Sequence, residues 1–372
     1  MSVNAMSVSA GDALAALEAG WAAQRAGGLT ASWMLHGRPG VGKTQIVQEL
    51  ARRIGAELHD LRLTTIEPQD LRGLPYYDHA ALKTRWYRPE DLPDRPGEPA
   101  VLFLDELTSA SPTLQPTVYG LLQERRVGRH VLPASVMIVA AGNTVEDGAV
   151  AYEMGTALSD RLVHLHVVAS PPDWLDNYAV PHGLHPAVVA FVRTRPDLLE
   201  TTEAALAEGR MIAATPRSWE RVSRIMATVP DRRLRAMMIA GTVGEAVAAE
   251  FAVVADDIAA TVQVAEMLAA GREARLALYP ATMHGLNALV YGLVGALEAR
   301  TAPAAIEVMA DIRTLGERRP EPVFRRLPLG ELATYGFELL IRRGLEKDLG
   351  EVFLASPAYR AYAEERRAMG LA

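Results

Sequence analysis

GRPGVGKT, residues 37–44, is the stretch on which the fold turns. It satisfies G-x-x-x-x-G-K-[ST], the pattern of a loop that wraps phosphates with backbone N–H groups. Its neighbours supply the context that the pattern needs. Residues 33–36 (WMLH) read as a strand running in, and residues 44–54 as an amphipathic helix running out. The glycines keep Cβ atoms away from an incoming phosphate, and the helix start adds partial positive charge. Lys43 is placed to reach β- and γ-phosphates, and the Thr44 hydroxyl to ligate Mg²⁺. Gly37, Pro39, Gly40, Val41, Gly42, Lys43, Thr44 and Gln45 are therefore the expected nucleotide-binding residues. The chain holds three lysines, Lys43, Lys83 and Lys347, against 35 arginines. A lysine kept at 43 in that background suits a task for a compact point charge and not a planar fork.

Outward from this loop, short apolar runs alternate with helical periods. Residues 57–63, 100–104, 135–141 and 163–168 read as strands, and 10–26 and 114–124 as helices. The unbroken apolar runs at 100–104 and 135–141 are those of strands buried on both faces of a parallel sheet. The expected fold is α/β: a three-layer domain over residues 1–172 with a parallel five-stranded sheet. At Ser170-Pro171-Pro172 the character changes. Ala- and Leu-rich helical periods run from there to the end, read as two helical units over 173–255 and 256–372.

Other strand ends carry chemistry in series. VLFLDE (101–106) ends a buried strand with two carboxylates. Asp105 is expected to hold Mg²⁺, and Glu106 to polarise an attacking water; a Glu directly after that Asp indicates a hydrolase more than a kinase. AAGNT (140–144) puts Asn143 at the next strand end, where an amide can touch a γ-phosphate or orient water. In ALSDRL (157–162), Arg161 reads either as a finger reaching a neighbouring copy's site or as an arginine paired locally with Asp160. In TPRSW (215–219), Thr215 and Pro216 start a helix. Arg217 in its first turn is either a residue pointing back across a cleft or a plain surface arginine.

Composition limits the alternatives. The chain has 372 residues, 49% hydrophobic and 22% charged, and no cysteine. Disulfides, thiolate nucleophiles and Cys-ligated zinc are excluded. Net charge is −7, and residues 1–172 hold 15 basic against 19 acidic groups, so bulk charge gives no case for nucleic acid. The apolar stretch 286–297 is short of a membrane span, and the N-terminus lacks the basic start of a secretory signal, leaving the cytoplasm as the expected location. His164 and His166 have a spacing that can bind metal but no third ligand in view. Arg125, Arg126 and Arg129 read as a basic helix end.

GRPGVGKT, VLFLDE, AAGNT, ALSDRL and TPRSW, in this order, resemble Walker A, Walker B, sensor 1, arginine finger and sensor 2 of an AAA+ ATPase. EPQDLRG (67–73), LTSA (107–110) and LLQER (121–125) resemble the MoxR branch, while 148–156 departs from its wording. The likeness spans about residues 30–225. It implies ATP with Mg²⁺, a hexameric or other homo-oligomeric ring with shared active sites, and 173–255 as a helical lid. It also implies a von Willebrand factor A domain partner, a protein client that is remodelled or activated, and an insertion hairpin facing the ring pore. Residues 73–87 lie where that insertion belongs and hold Tyr76, Tyr77, Trp86 and Tyr87. They read equally as an aromatic grip on a client or as a hairpin packed on its own subunit. Competing functions are an AAA+ motor or loader on nucleic acid and a nucleotide-gated scaffold that does not hydrolyse.

Overall fold

The computed structural model describes residues 4–143, 159–368 and 370. Thr144 and the stretches 148–156 and 157–158 lie outside the described residues. Two compact units emerge: residues 1–170 with 202–209, and residues 171–201 with 210–372.

The first unit is built on a fully parallel sheet. Its strands are β1 Ser7–Val8, β2 Ser32–His36, β3 Glu57–Arg62, β6 Ala100–Asp105, β9 Val136–Gly142 and β10 Leu162–Val167, in the order β1-β10-β2-β9-β6-β3. The five expected strands are all present. A two-residue sixth, β1, joins the edge beside β10, too short to have left a pattern. Two hairpins stand outside this sheet: β4 Pro75–Asp78 with β5 Lys83–Trp86, and β7 Arg126–Val127 with β8 His130–Val131.

Alternation along the central strands makes the three layers. Val101 and Phe103 pack on one face with Leu17, Trp21, Ile46 and Leu50, contributed by helices α1 (Ala10–Arg25) and α2 (Lys43–Ile54). Leu102 and Leu104 point to the other face. There they meet Leu71 of α3 (Pro68–Arg72) and Val118 and Leu121 of α4 (Gln115–Glu124). A strand covered on both sides has no solvent face, which is why its sequence is apolar throughout.

The second unit is helical. Its helices of nine residues or more are α5 Pro186–Thr194, α6 Pro216–Thr228, α7 Arg232–Val243, α8 Glu245–Thr261, α9 Met283–Gly295, α10 Ala302–Arg318, α11 Leu329–Glu346 and α12 Pro357–Ala368. The division expected at residue 255 falls inside α8. That helix is continuous because nothing between 245 and 261 breaks it: there is no Gly or Pro. Trp219 is fully buried, tilted on Phe191 at 5.2 Å and edge-on to Phe251 at 5.5 Å, with its indole N–H donating to the Leu198 carbonyl. The apolar stretch near 290 is α9, buried along most of its length as a core helix. Among the described residues, no helix is long and apolar enough to cross a membrane.

Candidate functional site

Register gathers the site. β2 pairs with β9 so that His36 faces Gly142, and β3 pairs with β6 so that Arg62 faces Asp105. All these strands run the same way, so the loops after them leave from one edge of the sheet. That edge is where an open parallel sheet binds its ligand.

The phosphate-type loop leaves β2 at Gly37. A Cβ there would come within 2.3 Å of the Val167 carbonyl oxygen, so glycine is required for the chain to exit past β10. Gly42, with φ 106°, adopts the left-handed conformation that turns the loop into α2. Val41 is buried in the core, Pro39 is exposed, and Gly40, Thr44 and Gln45 complete the loop and first turn. The Lys43 ammonium donates to the carbonyls of Gly37 (2.5 Å) and Arg38 (3.1 Å) and to Asn143 Oδ1 (2.9 Å). Arg38 in turn reaches Glu203 at 3.0 Å. The sequence-predicted Lys43 and Asn143, a hundred residues apart, are thus in contact.

Asp105 and Glu106 end β6. The Asp105 carboxylate accepts from the Glu106 N–H at 2.9 Å. Burial, helped by the charge of Asp105, raises the pKa of Asp60 on the adjoining strand. Glu106 has a left-handed backbone, φ 59°. Its carboxylate accepts from the Thr64 hydroxyl at 2.5 Å and lies 3.9 Å from Arg62 Nε. Among the described residues no group of three or more His, Asp or Glu forms a metal cage. The Thr44 hydroxyl and the Asp105 carboxylate are the oxygen donors on offer. Hard oxygen ligands of this kind suit Mg²⁺, which keeps several waters and resists all-protein cages.

Arg161 is not at this edge. It precedes Leu162, which pairs with Ser32 at the start of β2, whereas His166 pairs with His36 at the loop end. Those four residues are roughly 13 Å of strand. Arg161 is exposed and donates to Gln123 Oε1 at 2.6 Å, not to Asp160. Arg217 belongs to the second unit. It is exposed in the first turn of α6, whose N-cap Thr215 forms a reciprocal capping box with Ser218.

Two lesser expectations resolve into local structure. His164 Nδ1 lies 2.8 Å from His36 Nε2, while its Nε2 approaches the Ser159 carbonyl; His166 pairs with Ser7. The basic knot disperses. Arg125 turns inward to the carbonyls of Pro133 and Val136, and burial lowers its pKa, while Arg126 binds within its own hairpin at Gly128. Sequence reasoning gave no role to Thr64 or Thr108, although both are polar residues just past a strand end of the same sheet edge.

The 73–87 segment is a hairpin. Tyr76 stacks on Tyr87 at 4.4 Å, and Arg72 lies over the Trp86 ring at 5.1 Å. Tyr77 and Leu82 are 77% and 89% exposed, and Leu82 is held at φ 51° at the tip.

Residues 32–162 match the family model described as an AAA domain of the dynein-related subfamily. No curated protein matches the chain. Among solved structures, the chain is similar to a candidate ATPase from Cytophaga hutchinsonii, at 17% identity over 78% of this chain and 74% of that one, with a TM-score of 0.33. It is also similar to two variants of RuvB from Thermotoga maritima. One has 14% identity over 88% of this chain and 82% of that one, with a TM-score of 0.34. The other has 15% identity over 87% and 81%, with a TM-score of 0.31.

Proposed function

We propose that this chain, whose residues 32–162 match the model of an AAA domain of the dynein-related subfamily, is a MoxR-like AAA+ ATPase that couples ATP hydrolysis to remodelling of a protein client. The observation that carries the reading is the meeting of Lys43 with Asn143 at the sheet edge that also presents Asp105 and Glu106. In this reading the loop 37–45 binds the phosphates, and Lys43 moves from backbone carbonyls to β- and γ-phosphate oxygens. Mg²⁺, held by Thr44 and through water by Asp105, would neutralise developing charge on the phosphates. Glu106 accepts a proton from the attacking water, and Asn143 orients that water or the γ-phosphate.

Arg161 serves a neighbouring copy, since its own strand carries it to the far end from its own loop. That geometry supports a ring, with a hexamer as the expected size. Residues 173–255 act as lid, with Arg217 as their contact to nucleotide. A von Willebrand factor A domain protein as partner, and work in the cytoplasm, complete the proposal. Even charge weighs against a nucleic-acid motor, and the intact Lys43, Asp105, Glu106 and Arg161 weigh against a non-hydrolysing scaffold.

The test is a pair of variants. Lys43→Ala should abolish tight ATP binding. Glu106→Gln should bind ATP as tightly as the parent and fail to release phosphate. Equal loss of nucleotide binding in both would overturn the division of roles.

A further inference from the structure

We propose that Thr108 is a positioning residue for Asn143: its buried hydroxyl holds the Asn143 backbone so that the side-chain amide meets Lys43. The inference rests on the nucleotide-site reading above and deepens it.

Thr108 is 6% exposed. Its Oγ1 donates to the Asn143 carbonyl at 2.9 Å and accepts from the Asn143 N–H at 3.1 Å. One hydroxyl therefore satisfies both backbone groups of a single residue. Asn143 needs this because it lies one step beyond the ladder, where β9 and its pairing with β2 end at Gly142. The preceding glycine makes room for the same contact. A Cβ at Gly142 would sit 2.7 Å from both Oγ1 and Cγ2 of Thr108 and 2.9 Å from Met34 Cε. From that fixed backbone, Asn143 Oδ1 accepts from Lys43 Nζ at 2.9 Å.

Thr108 also stands two residues after Glu106. The turn between them is closed by the Ser109 N–H donating to the Glu106 carbonyl at 2.9 Å. The short turn Leu107–Ser109 thus carries the residue that holds Asn143 and adjoins the residue that would activate water. A hydroxyl at 108 is required for this; a methyl of the same shape takes from two part-buried backbone groups the partner they have here.

Thr108→Val, Thr108→Ser, Asn143→Ala and the Thr108→Val/Asn143→Ala double variant, all in the full chain, test it. Thr108→Val should lower kcat on the order of 10- to 100-fold, as a displaced catalytic amide does, with KM for ATP changed about 3-fold or less. Thr108→Ser keeps the hydroxyl and should retain most of kcat. In the Asn143→Ala background, Thr108→Val should cost about 2-fold or less, because two residues acting as a unit are not additive. A full, undiminished loss in that background overturns the proposal, as does a kcat that falls only in step with the folded fraction in a thermal melt. Should parent and Lys43→Ala release phosphate alike, the hydrolase reading fails. Thr108 is then judged by equilibrium binding of fluorescent ATP and ADP. Thr108→Val and Asn143→Ala should weaken ATP alike and leave ADP nearly unchanged; equal weakening of both nucleotides by Thr108→Val overturns the proposal.

Discussion

Glu106 is tied to Thr64 at 2.5 Å, so one carboxylate oxygen that would take a proton from water already accepts one hydrogen bond. A hydrogen bond to a charged group is worth about 1.5–3 kcal/mol net, less at a part-exposed site. Thr64→Val should therefore release Glu106 and raise basal phosphate release by about 2- to 10-fold, the lower part of what such a bond could hold back. A fall of similar size would mean that Thr64 aims Glu106 at its water. Lys43, Thr44, Asp105, Glu106 and Asn143 were legible in the sequence because each follows an unbroken apolar run or sits inside a spaced glycine pattern. Thr64 and Thr108 were not. Their partners, Glu106 and Asn143, are 42 and 35 positions away, and only strand order and register bring them together.

At the scale of elements, the hairpin Pro75–Asp78/Lys83–Trp86 has no buried residue and presents side chains outward. Its two four-residue strands pair from Pro75 with Trp86 to Asp78 with Lys83, and the turn between them spans residues 79–82. The two readings of its aromatics divide between residues: Tyr76 packs on Tyr87 within the hairpin, whereas Tyr77 and Leu82 project. Replacing Tyr77 and Leu82 together with Ala should change stability by about 0.5 kcal/mol or less, as exposed positions do. Basal ATPase should stay within about 3-fold while client or partner action weakens, since exposed aromatics serve as binding anchors. A melt that drops by several degrees would place these side chains in a core instead. Helix α6 gives the contrasting case. Trp219→Ala removes a fully buried indole and should cost about 3–5 kcal/mol, read as a lowered thermal midpoint.

At the scale of the whole molecule, a parallel sheet has one chemical end, and Arg161 stands at the other. Arg161→Ala should bind ATP normally and hydrolyse it poorly. Mixing Arg161→Ala with Glu106→Gln subunits should restore part of the lost activity, because some interfaces then join an intact Glu106 to an intact Arg161. No recovery in assembled mixtures would leave Arg161 a structural partner of Gln123. The change from sheet to helix near residue 170 was legible from two adjacent prolines. The division at 255 was not, because α8 runs through it and both sides share one compact unit. The five tryptophans divide in a useful way. Trp21, Trp33, Trp174 and Trp219 are 8%, 7%, 8% and 0% exposed, against 37% for Trp86. A collisional quencher such as iodide should therefore dim mainly the hairpin's indole. The unlabelled protein carries its own optical probe on this exposed hairpin, and shielding of that emission reports contact there without any dye.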